Sequence, residues 1–157
     1  RPPAGEAGMS PAEKLTLEDT SVELLVALVR AFLSRGIKTF AIAAGSGPIR
    51  FFGSRPEHFR DLYSATLAMT FHPSVFPTDV PEAAIEPRVG AASFFITHRS
   101  DPEIQVAVDQ AAASNRNVYV IMNRVVPAAG VAGIRGAKVV TVERPEEIPT
   151  MFAGWSA

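Results

Sequence analysis

The chain has 157 residues, 47% of them hydrophobic and 20% charged, with a formal net charge of -1 at pH 7 and no cysteine. That is one ordinary domain with enough apolar residues for a core, which excludes disordered, collagenous and low-complexity classes. No electrostatic footprint for nucleic acid or an anionic membrane is present, and disulfide, thiolate and Cys-based zinc chemistry are excluded.

No uninterrupted apolar run reaches the length of a membrane span. A cytoplasmic address is therefore the expectation. Because the sequence begins at Arg1 rather than Met, it is also expected to be an excised or processed piece.

Residues 1–14 are expected to form a flexible leader and residues 15–157 a single α/β domain. Order is expected to begin near Leu15 to Thr20. Thr20 followed by Glu23 has capping-box spacing, so a first helix is expected over Ser21 to Arg35, stopped by Gly36. Its only polar stripe is Glu23, Arg30 and Ser34, so it should be buried on two sides. A second subunit or a neighbouring helix would cover the second side, and a homo-oligomer formed through this helix is expected.

Lys38 to Ala43 has the pattern of a buried strand. It enters the glycine turn Gly45-Ser46-Gly47-Pro48, and with a helix after the turn it would form a first βα unit. A second amphipathic helix is expected over Glu57 to Phe71. Four prolines between His72 and Arg88 forbid a regular helix there and leave room for a short edge strand near Val75.

Periodicity returns at Ala91 to Thr97, whose continuous apolar run suits a strand buried on both faces. Asp101-Pro102-Glu103 carries the residue types that open a helix. Ile104, Ala107, Val108, Ala111 and Ala112 follow as one stripe of helical spacing, with Gln105, Asp109 and Gln110 facing water. Strands are expected at Val118 to Met122 and Ala137 to Val142. A short last helix should begin at Pro145, kinked or restarted by Pro149. The alternation implies a Rossmann-like three-layer α/β sandwich with a mostly parallel sheet of four or five strands.

Ligands of such sheets bind beyond the carboxyl ends of the strands. The candidate binding residues are accordingly Gly45, Ser46 and Gly47; His98, Arg99 and Ser100; and Asn123 and Arg124. Backbone N–H groups, hydroxyls and two guanidinium groups suit a phosphate, with Arg99 as the main charge partner. The alternative is a set of ordinary loops in which the same residues turn the chain and cap helices. GSGP lacks the third glycine of a dinucleotide fingerprint and has no P-loop Lys. His58, His72 and His98 form no HxH or HxxxH pair, so no metal is expected. His72 lies near Asp79, Glu82 and Glu86, which suits proton transfer or simply a surface loop. There is no GxSxG elbow.

From Lys38 to Asn123 the chain resembles the sugar-isomerase (SIS) domains. AAGSGPIR at Ala43 to Arg50 corresponds to their first glycine- and serine-containing loop, and the segment from Phe94 to Asn123 to their later phosphate loop and helix. Where that family has a run of hydroxyls and a glycine, this chain carries Thr97, His98, Arg99 and Ser100, then Asp101 and Pro102. The resemblance implies a domain that binds a phosphorylated sugar or similar anion, in a handling or regulatory role. No cofactor is expected. From Thr20 to Phe51 the chain is also similar to the opening of thiamine-diphosphate enzymes, without a recognisable catalytic glutamate after it. Three functions follow: a phosphosugar-binding domain, an interaction or scaffold subunit that has lost its ligand site, and a sugar-phosphate isomerase or thiamine-diphosphate-related fragment.

Overall fold

The computed structural model describes residues 9–43, 49–67, 92–100, 102–114, 117–126 and 133–152. The first element is α1 (Pro11–Ser34). It starts well before the expected Ser21, inside the stretch read as a leader. Ser10 is its N-cap. The Ser10 hydroxyl accepts from Glu13 N at 3.2 Å, and Glu13 Oε2 accepts from Ser10 N at 2.7 Å. This reciprocal box, with Pro11 at the first helical position, satisfies two donors that a helix start leaves open. Thr20, expected as the cap, is instead a mid-helix residue whose hydroxyl donates to Thr16 O at 2.8 Å. Helix α1 ends as expected at Gly36. Gly36 N donates to Leu33 O and Ile37 N to Phe32 O, a Schellman closure with Gly36 at φ +70°.

The chain then forms a β-hairpin, not the expected βα unit. Strand β1 (Thr39–Ala43) pairs antiparallel with β2 (Ile49–Gly53), placing Phe40 opposite Phe52 and Ala41 opposite Phe51. Residues 49–53 alternate like a half-covered strand: Phe51 is buried while Arg50 and Phe52 are exposed. A 3-10 turn (Pro56–His58) leads into α2 (Phe59–Leu67). The expected edge strand near Val75 lies outside the described residues.

The second sheet is parallel, in the order β3 (Ala92–Thr97), β4 (Asn117–Asn123), β5 (Lys138–Val142). Helix α3 (Pro102–Ser114) connects β3 to β4. A 3-10 turn (Pro145–Glu147) and the short α4 (Ile148–Met151) follow β5. The described residues are thus α/β with a three-stranded parallel sheet, and β1 pairs with β2 rather than with that sheet.

Strand alternation divides the packing in two. One face of β4 gives Val118, Val120 and Met122 to Ile104, Val108 and Ala111 of α3. The other gives Ile121, which with Val142 packs on Leu24 and Leu28 of α1 and Ile148 of α4. Helices therefore cover both faces. Burying one such aliphatic side chain stabilises by about 1.5–3 kcal/mol. The α3 stripe lies on the sheet as expected, but Gln105 is not simply solvated. It accepts from Arg135 N at 3.0 Å and donates to Arg135 O at 2.9 Å, pinning the approach to β5.

The other side of α1 is covered from within the chain. Val29 and Leu33 pack with Phe51 of the hairpin and Leu62 of α2. Part of the apolar girth of Ser21–Arg35 is thus covered from within the chain, while Val22, Leu25 and Val26 stay half-buried.

Candidate functional site at the carboxyl ends of the parallel strands

Parallel register brings two of the three expected loops together. Thr97 of β3 stands beside Met122 of β4, so His98-Arg99-Ser100 and Asn123-Arg124 leave the same end of the sheet on neighbouring strands. Gly45, Ser46 and Gly47 lie outside the described residues. So do Asp101 and the group of His72, Asp79, Glu82 and Glu86.

The loop after β3 is closed on itself. Arg99 N donates to Thr97 Oγ1 at 3.0 Å, a local turn built on a buried hydroxyl. Arg99 Nη2 donates to Glu103 Oε2 at 3.0 Å, and its side chain is only 17% exposed against 64% for Glu103. Glu103 sits in the first turn of α3, where a helix start favours negative charge. The expected main charge partner for a phosphate is therefore engaged by a carboxylate one turn away. His98 and Ser100 are half-buried.

Asn123, one of the expected ligand residues, is engaged within the fold. Its side chain is fully buried, and Nδ2 donates to Leu17 O at 3.0 Å and Ser21 Oγ at 2.9 Å. It ties the end of β4 to α1. Arg124 continues the strand, its N donating to Val142 O at 2.7 Å. Its guanidinium differs from that of Arg99: the Nη2 atom is buried and makes no hydrogen bond. A buried donor in that state costs about 1–3 kcal/mol, more for a charged group.

After β5 the chain closes through Glu147. Arg144 Nε donates to Glu147 Oε1 at 3.0 Å, and Glu143 N donates to Oε2 at 3.2 Å. The Arg144 bond first, and then the Glu143 amide, hold the Glu147 carboxyl below its usual range. This closure was not singled out from sequence. Among the described residues no three His, Asp or Glu side chains gather as a metal would need. No helix among them is long and apolar enough to cross a membrane.

No family model matches the chain, and no curated protein or solved structure matches it either.

Proposed function

We propose that the chain is an α/β binding domain that takes a phosphorylated small molecule, such as a sugar phosphate, over the carboxyl ends of β3 and β4. The observation that carries this reading is the buried, unbonded Nη2 of Arg124. A guanidinium holds two phosphate oxygens at once and stays charged at every working pH. An anion at that place would supply the missing acceptor. The main charge partner accordingly moves from Arg99 to Arg124, with His98 and Ser100 on the neighbouring loop. The finer architecture, a four- or five-stranded SIS-like sandwich with Gly45, Ser46 and Gly47 beside the anion, belongs to this reading. So does a cytoplasmic setting.

The test is a thermal-shift series with sugar phosphates, nucleotides and inorganic phosphate, since a ligand of the folded state raises the midpoint by mass action. At least one phosphorylated compound is expected to raise it. Arg124→Ala should then weaken binding by about 1.5–3 kcal/mol, the scale of hydrogen bonds to a charged group. Arg99→Ala should matter less, because Glu103 already holds that side chain. If no phosphorylated compound shifts the parent protein, the reading fails.

A second reading, an interaction subunit without a ligand, draws on the same site. Arg99 is paired with Glu103 and Asn123 is occupied by α1, so two expected ligand groups already have intramolecular roles. A stable complex with another macromolecule, and no response to any anion, would favour it.

A further inference from the structure

We infer that the outward face of the β1–β2 hairpin binds an extended acidic peptide, one with an apolar residue and an acidic residue two positions apart. The inner face of the ribbon is closed by Phe51 against Val29, Leu33 and Leu62. The outer face presents Phe40, 45% exposed, and directly opposite it Phe52, 60% exposed. Arg50, two residues before Phe52, and Lys38, two residues before Phe40, are both exposed. Among the described residues neither cation makes an ion pair and no acidic residue stands on this face. The surface is thus cationic and aromatic although the chain as a whole carries a net charge of -1.

The pairing geometry specifies the partner further. Among the described residues each strand of the ribbon pairs only with the other, so each offers one row of backbone donors and acceptors. A strand added at either edge places its side chains beside those on the same face. Beside β2 it meets Phe52 and Arg50; beside β1 it meets Phe40, with the exposed Lys38 just before the strand. Each edge thus has an exposed aromatic residue with an exposed cation two positions before it in sequence. Charge complementarity favours Asp or Glu over Lys or Arg at the second position. A single-stranded nucleic acid would also find cations and rings. Edges unpaired among the described residues, and the small number of cations, favour a peptide.

Fluorescence anisotropy with a labelled, threonine-rich peptide carrying Glu-x-Phe-x-Glu tests this, against a Lys-x-Phe-x-Lys control and labelled oligothymidylate. Saturable binding of the acidic peptide alone is expected. The double variant Lys38→Glu, Arg50→Glu should weaken it about tenfold or more, and Phe52→Thr, which keeps a strand-forming residue, should weaken it as well. A thermal melt of each variant confirms that it is folded. The inference is overturned by no binding of the acidic peptide, by binding indifferent to all these substitutions, or by binding of the thymidylate instead. A dimer in sedimentation that Lys38→Glu dissociates would also overturn it, by showing a second copy as the occupant. None of these outcomes involves Arg124, so the two sites are judged separately.

Discussion

The Asn123 side chain donates to the Ser21 hydroxyl across 2.9 Å, joining the end of the central strand to the middle of α1. The same Nδ2 reaches Leu17 O at 3.0 Å, and Ser21 Oγ in turn donates to Leu17 O at 2.8 Å. A fully buried amide is thereby satisfied at a helix carbonyl and a hydroxyl in one arrangement.

Asn123→Ala should destabilise the protein by about 1–3 kcal/mol, through the lost bonds and the space left behind. Asn123→Asp should cost more, because it sets a buried carboxylate against the Leu17 carbonyl where a donor is needed. Urea denaturation measures both. An Asp variant as stable as the parent would show that Asn123 does not clamp α1.

The bond explains why this part of the candidate site was illegible. Leu17 and Ser21 lie 106 and 102 residues from Asn123 in sequence. A polar residue at a strand end reads as a ligand until its distant partner is known. The strands themselves were easier. Phe94, Phe95 and Ile96 form an apolar run, and so do Val118, Val120, Ile121 and Met122, because both of their faces lie under helices. The hairpin was misread because a strand followed by a glycine turn is common to βα units and hairpins. The alternation of Phe51 with Arg50 and Phe52 was the signal that separates them. The start of α1 differs from the expected one because Thr20 with Glu23 has the same spacing as the actual box, Ser10 with Glu13. Pro11 immediately after Ser10 was the mark of the true one.

Two glycines should respond to alanine for different reasons. At Gly36 an added Cβ has nothing within 4 Å, but φ is +70°. The cost is backbone strain, about 1–2 kcal/mol. At Gly53 the added Cβ would lie 2.5 Å from Phe51 Cζ and 3.1 Å from Leu33 Cδ2. Phe51 is itself held against α1 and α2, so overpacking should cost about 1–3 kcal/mol. Asparagine, which tolerates this conformation, should rescue position 36 in part and worsen position 53. Equal responses at both sites would refute this account.

Ala111→Glu should be severely destabilising, by several kcal/mol, because Ala111 is 8% exposed and packs with Val118 and Val120. Gln110→Glu on the outer face of α3 is the control, expected to change stability by no more than about 0.5 kcal/mol. Circular-dichroism melts of the pair decide whether the buried face of α3 is correctly placed.

The α1 capping box should respond to acid. Glu13 is held below its ordinary 4.5, first by the Ser10 backbone N–H and then by the Ser10 hydroxyl. A lowered carboxyl contributes stability that is present above its unfolded value and is lost as pH falls through its folded one. The first turn of α1 should therefore loosen only as pH drops below 4.5. Ser10→Ala should return the Glu13 titration, followed by NMR, to the ordinary range. No change on that substitution would contradict the box.

Helix α1 is one 24-residue element that forms a wall of two of the three apolar clusters among the described residues, the one on its side of the parallel sheet and the one beneath the hairpin. The hairpin closes over a short span of chain, whereas the parallel pairs need crossovers and so form more slowly. Through Val29 and Leu33 the early pairing of β1 with β2 can settle the carboxyl half of α1, which then presents Leu24 and Leu28 as a template for the later strands. In kinetic terms the helix passes order from a local nucleus to a non-local sheet. Substitutions at Phe51 would then slow folding, while those at Val142 would chiefly hasten unfolding.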